Sequence, residues 1–118
     1  MGIDSSVPQA SIALLKDGHV LNQAEVEKSA TVSNQILSLM DRVLSSSGTS
    51  LNDLDGFCLT TGPGSFTGLR VGASILKGLL LATPKPFIKV DTLEALALQA
   101  MPTEHRICAV LDARKKEV

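Results

Sequence analysis

Residues 57–81 read FCLTTGPGSFTGLRVGASILKGLLL, and the fold turns on this stretch. Phe57 to Thr61 is a short β-rich run, Gly62-Pro63-Gly64 is a turn, and a long helix is expected over Ser65–Leu81. Gly64, Gly68 and Gly72 recur every fourth residue, so on a helix they share one face and let another backbone come very close. An interior glycine weakens a helix by roughly 0.5–1 kcal/mol against alanine. Two in succession indicate that close approach matters here more than local helix strength. Thr67, Arg70, Ser74 and Lys77 make one narrow polar stripe, while Leu69, Val71, Ala73, Ile75, Leu76, Leu79 and Leu80 fill nearly everything else. A helix lying on a sheet normally carries a polar half. This one carries too little, so part of its apolar surface is expected to meet something besides its own sheet. A buried helix in a large fold is the alternative.

Working outward, Met1 to Ile3 is the stub of a strand ending at Asp4-Ser5-Ser6. Ala10 to Leu15 is a second strand, Lys16-Asp17-Gly18 a hairpin turn, and His19 to Glu27 a third strand. Val32, Ile36, Leu39, Met40 and Val43 recur at three and four, which predicts an amphipathic helix over Thr31–Ser45. Beyond the glycine helix, Phe87 to Val90 is a strand and Asp91-Thr92-Leu93-Glu94 opens a third helix with a capping-box-like start, ended by Pro102. Arg106 to Leu111 reads as a final strand. The order is β-β-β-α-β-α-β-α-β. Hairpin strands should pair antiparallel and strands joined through helices parallel. A mixed five-stranded sheet flanked by helices follows, either ribonuclease H-like or one lobe of the actin-like ATPase architecture.

At 118 residues the chain is one domain, able to bury roughly two-thirds of its unfolded surface. A net charge of −1 gives no basic footprint for independent nucleic-acid binding. No run reaches the length of a membrane span, and the N-terminus lacks a signal-peptide pattern. Cys58 and Cys108 lie in apolar, strand-like runs and read as small core hydrophobes of a reducing compartment, which places the chain in the cytoplasm.

A glycine-rich turn between strand and helix can cradle phosphate through backbone N–H groups. Here no Gly-Lys-Ser/Thr follows, the third glycine falls one residue late for a dinucleotide fingerprint, and Pro63 removes a donor. Tight packing or partner contact is the favoured reading of the turn. Asp4-Ser5-Ser6, after the first strand, sits where an actin-like lobe brings small polar residues to a nucleotide phosphate and its magnesium; solvated turn chemistry is the alternative. His19 and His105 have no second histidine at metal-binding spacing, and no Gly-x-Ser-x-Gly elbow occurs. No metal site and no catalytic set is expected.

The stretch from Thr61 to Gly72, continuing to Lys77-Gly78, resembles the signature of the TsaB (YeaZ) family, the tRNA threonylcarbamoyladenosine biosynthesis protein B. Asp4-Ser5-Ser6, Val90 to Leu96, Asp112-Ala113-Arg114 and Glu117-Val118 match in order, so the resemblance spans the chain. It implies an actin-like fold of two similar lobes, of which residues 1–118 would be the N-terminal one, with the second lobe absent. It also implies an accessory, non-enzymatic role: a partner of a paralogous catalytic subunit that transfers threonylcarbamoyl to tRNA adenosine, with a P-loop ATPase completing the system. tRNA would be met only through the complex, and no membrane is involved. The family is often labelled glycoprotease or M22-like peptidase after its catalytic relative, whose His-x-x-x-His is missing here. A nucleotide-binding lobe of an actin-like ATPase or phosphotransferase is the second reading, and a peptidase the third.

Family members pair through the helices corresponding to Thr31–Ser45 and Ser65–Leu81. The partner-binding residues expected on them are Ile36, Met40, Phe66, Gly68, Arg70, Val71, Gly72, Ile75 and Lys77, with Arg70 and Lys77 at the rim. The same face should form a homodimer when the partner is absent. Asp4, Ser5 and Ser6 are the nucleotide-binding candidates. No cofactor is expected on the chain alone, with ATP or ADP and magnesium belonging to the assembled complex. Val32 stands where the family commonly has a histidine, just before Ser33.

Overall fold

The computed structural model describes residues 1–26 and 32–113. Its strands are β1 (Gly2–Asp4), β2 (Ser11–Lys16), β3 (His19–Glu25), β4 (Phe57–Thr60) and β5 (Phe87–Val90), and its α-helices are α1 (Val32–Ser46), α2 (Phe66–Ala82) and α3 (Thr92–Leu98). The five strands form one sheet in the order β3-β2-β1-β4-β5. β1 and β3 pair antiparallel with β2, while β4 runs parallel to β1 and β5 parallel to β4. This is the mixed sheet expected of an actin-like, ribonuclease H-like lobe. The β2–β3 turn is Asp17-Gly18, with φ of 51° and 79°. Both residues are left-handed, as a two-residue turn matched to the twist of its strands requires, and Gly18 adopts that conformation without a Cβ clash.

Alternation along the strands sets the layers. Ile12, Ile3 and Leu59 lie in register across β2, β1 and β4, and all three are buried. α1 packs over β2 and β3, α2 over β4, and the two helices touch one another. Leu39, Val43 and Leu44 of α1 join Leu76 and Leu79 of α2 in a single core with the strand residues. α3 begins where the sequence places it. The Asp91 carboxylate accepts from the N–H groups of Leu93 (2.8 Å) and Glu94 (3.1 Å), satisfying two orphan donors of the first turn.

Three expectations change. The segment 106–111 carries no strand, and Ile107 and Val110 are exposed. Its apolar run, with β-branched Ile107 and Val110, has no neighbouring ladder among the described residues, and strand propensity is realised only within a sheet. α3 ends at Leu98, ahead of Pro102. Cys108 is exposed and only Cys58 is partly buried, so just one of the two cysteines contributes to packing; both are free thiols. The expected helix start at Thr31, the strand end at Glu27 and the motif residues Arg114, Glu117 and Val118 lie outside the described residues.

Candidate functional site

The glycine loop and α2 are locked onto the segment that follows β1. Ser65 caps α2, its hydroxyl accepting from the Gly68 N–H (3.3 Å), while the Ser65 N–H donates to the Ser6 carbonyl (2.6 Å). A Cβ at Gly64 would collide with the Ser6 carbonyl, one at Gly68 with the Ser5 carbonyl, and one at Gly72 with the Ser5 hydroxyl, with a Leu59 methyl 3.2 Å away. The glycine stripe is therefore a seam inside the chain. Gly68 and Gly72 are buried and do not face a partner, a correction to the sequence reading. Helix periodicity placed them on one face, and the backbone that approaches that face belongs to Ser5 and Ser6.

The Asp4-Ser5-Ser6 turn is also folded in on itself. Asp4 Oδ1 accepts from the Ser6 N–H (2.9 Å), the Ser6 hydroxyl (2.7 Å) and the Thr60 hydroxyl (2.6 Å). Ser5 is 0% and Ser6 1% exposed, and the Ser5 Oγ has no hydrogen-bond partner among the described residues. The two serines thus do not present hydroxyls to a phosphate, contrary to their reading as nucleotide contacts. Three positions of the loop also offer no free backbone donor. Pro63 has none, and those of Ser65 and Gly68 are engaged within the chain. On the far side the Gly62 carbonyl accepts from the Thr92 N–H (2.8 Å), which ties the loop to α3.

The outward side of α2 is different. Phe66 is 73% exposed, and the Arg70 guanidinium sits over its ring at 5.2 Å, a cation–π contact. Phe66, Thr67, Arg70, Val71, Ser74 and Ile75 line one shallow cleft, with Val71 and Ile75 half-buried at its inner wall. Lys77 points to the opposite flank, where it lies beside Leu80 and Leu81. On α1 the expected contacts Ile36 (0% exposed) and Met40 (7%) are core residues, because the helix turns its apolar stripe onto β2 and β3. Among the described side chains of that helix, Leu37 is the exposed large apolar one, a position its helical phase opposite Leu39 and Val43 could have indicated. Of the nine partner-face residues read from sequence, the structure brings Phe66, Arg70, Val71 and Ile75 together at one surface.

Titration chemistry is sparse. Burial pushes the Cys58 thiol up, opposed by the nearby amino terminus. Hydrogen bonds from the Ser50 hydroxyl and N–H hold the exposed Asp53 carboxyl below its ordinary value. Among the described residues no group of three or more His, Cys, Asp or Glu is placed to hold a metal ion, and no helix is long and apolar enough to cross a membrane.

A family model described as TsaD, tRNA N6-adenosine threonylcarbamoyltransferase, matches residues 26–118. The tRNA threonylcarbamoyladenosine biosynthesis protein TsaB of Haemophilus influenzae is 37% identical over 120 residues, covering 100% of this chain and 50% of that protein. The protein of the same name from Escherichia coli is 39% identical over 121 residues, covering 100% of this chain and 52% of its own length. Among solved structures, YeaZ from Pseudomonas aeruginosa superposes with a TM-score of 0.76 at 29% identity, over 84% of this chain and 45% of that one. The chain spans about half the length of the curated relatives it matches.

Proposed function

The chain belongs to the TsaB (YeaZ) family, and from that premise we propose that it is a non-catalytic partner subunit in tRNA N6-threonylcarbamoyladenosine modification. Its work is binding. The outward face of α2 packs against a paralogous catalytic subunit and holds that subunit in its active arrangement. A P-loop ATPase subunit joins the same cytoplasmic assembly, and tRNA is engaged only through it. Nucleotide and magnesium belong to the assembled complex, since Ser5 and Ser6 are buried and the Ser65 N–H already donates to the Ser6 carbonyl.

The observation that carries this reading is Phe66 standing in water at the head of a helix whose inner face is already filled. A phenylalanine ring offers one of the largest apolar areas of any side chain, and anchors of this kind dominate interface energetics. Val71 and Ile75 extend the apolar surface one and two turns along the helix, and Arg70 supplies a charged rim. In the absence of the paralogue the same patch pairs with a second copy of itself across a two-fold axis.

The test is co-purification of the full chain with the catalytic paralogue of its own organism, beside light scattering of the chain alone. Ile75→Asp should abolish both the complex and the homodimer, because a charge would be buried unpaired at the contact. Circular dichroism reports whether that variant keeps its fold. A folded Ile75→Asp protein that binds the paralogue as wild type does would remove α2 from the interface.

A further inference from the structure

The flank of α2 facing away from Ile75 holds a second surface. Read across the sheet in register, Ala24, Ile12, Ile3, Leu59 and Lys89 occupy one row on the helix-bearing face. α1 and α2 cover that row as far as β4, and the helix layer then runs out. What remains over β4 and β5 is an apolar groove of about 380 Å³ with Leu59 at its floor, Leu80, Leu81 and Phe87 along its walls, and Lys77 and Lys89 at its border. Leu81 is 78% exposed, so this apolar surface is held open to water.

We propose that this groove docks an amphipathic, acidic helix of a partner protein. Three features define the occupant. First, both charged residues in the lining are lysines and no acidic residue lies among them. Neither Lys77 nor Lys89 has an ion-pair or hydrogen-bond partner among the described residues. A lysine stem can cover apolar surface while its ammonium stays in water, so carboxylates flanking an apolar stripe would find cationic partners here. Second, strand addition is blocked at this edge of the sheet. β5 has four residues, Pro84 and Pro86 precede it, and Lys89 sits within it, all of which discourage a further strand. An occupant therefore lies on the face, and a helix presenting apolar residues at i, i+3, i+4 and i+7 is the form that fills such a groove. Third, the groove and the Phe66–Ile75 cleft lie on opposite flanks of one helix, so both can be occupied at once. The proposal is independent of the paralogue reading, and its failure leaves that reading untouched.

The experiment uses the full chain and two fluorescein-labelled designed helical peptides. Both carry leucine at i, i+3, i+4 and i+7; one carries glutamate at the flanking positions, the other lysine. Anisotropy should show the glutamate peptide binding at least tenfold more tightly, with NMR shifts at Leu80, Leu81 and Phe87. The double charge reversal Lys77→Glu, Lys89→Glu should invert the preference, and both sites are exposed, so the fold is preserved. Equal affinity for the two peptides, no binding of either, or shifts confined to the Phe66–Ile75 side would overturn the proposal. So would a dimer that dissociates on Leu81→Asp, which would make a second copy the occupant. Decanoate displacing no peptide while binding in the groove itself would point instead to a small amphipathic anion, and would equally overturn it.

Discussion

Two faces of the same helix meet their neighbours by opposite means. The inward face of α2, with Gly68, Gly72, Leu76 and Leu79, is fitted to one residue: the Ser5 carbonyl at Gly68 and the Ser5 hydroxyl at Gly72 occupy the space where Cβ atoms would otherwise stand. The outward face, with Phe66, Arg70 and Ser74, meets water, and its largest side chain is mostly exposed. Removal of side chains creates the first surface, and projection of side chains creates the second. At Gly64 and Gly68 the seam is unforgiving because its counterpart is a backbone carbonyl, which cannot change rotamer. The outer face, built of side chains on a finished helix, can vary without disturbing the core beneath it.

The sharpest way to break this comparison is Gly68→Ala. The added methyl would fall on the Ser5 carbonyl, and either β1 or α2 must move. The expected cost is about 3 kcal/mol, the upper part of the overpacking range, against a total stability of about 5–15 kcal/mol for a domain. Urea denaturation should show the midpoint falling at unchanged slope. A variant as stable as wild type would mean that the seam is loose and that the glycines serve something else.

Next in size is Asp4→Ala. It leaves the Thr60 hydroxyl and the Ser6 N–H without their acceptor in a largely buried turn, at an expected cost of about 2 kcal/mol. Asp4→Asn keeps an oxygen acceptor at the same position and should recover part of the loss. If Asp4 instead served a nucleotide, ATP with magnesium would raise the melting temperature of the wild-type chain and not that of Asp4→Ala. No such ATP dependence is expected.

Much of this architecture is legible in the residues because local chemistry dictates it. Asp17-Gly18 can hardly be other than a tight turn, Asp91 caps a helix with its own carboxylate, and Ser65 opens α2 for the same reason. Strand pairing follows from which connections are hairpins and which are helices. The destination of the glycine stripe was not legible. A period of four shows that Gly64, Gly68 and Gly72 share a face, but the segment that fills it lies about sixty residues earlier in the chain, and no local rule links the two. Ile36 and Met40 were misplaced for a related reason: their phase marks the apolar side of α1, and only the position of β2 and β3 shows that this side points inward. At 106–111 the apolar run has no neighbouring strand among the described residues, so the propensity goes unused.

Gly78 carries the smallest expected effect and bears on the comparison most finely. It belongs to the same four-residue neighbourhood of the signature as Lys77, yet a Cβ built on it meets nothing within 4 Å, and it is exposed. Inside the isolated chain it therefore has no packing reason to be glycine. Gly78→Ala should raise stability by about 0.5–1 kcal/mol, the ordinary helix-propensity gain, visible as a higher urea midpoint. Partner binding reads the other face of the matter. Gly78 falls one helical turn beyond Ser74 and three residues beyond Ile75, on the side of α2 that carries the Phe66–Ile75 cleft. If a partner backbone approaches there as closely as Ser5 approaches Gly68, the same substitution that stabilises the chain should weaken its complex with the paralogue. Opposite signs in the two measurements would mean that α2 uses glycine for close approach on both faces. A gain in stability with unchanged affinity would confine that device to the inner seam, leaving the outer face to work through Phe66 and its neighbours.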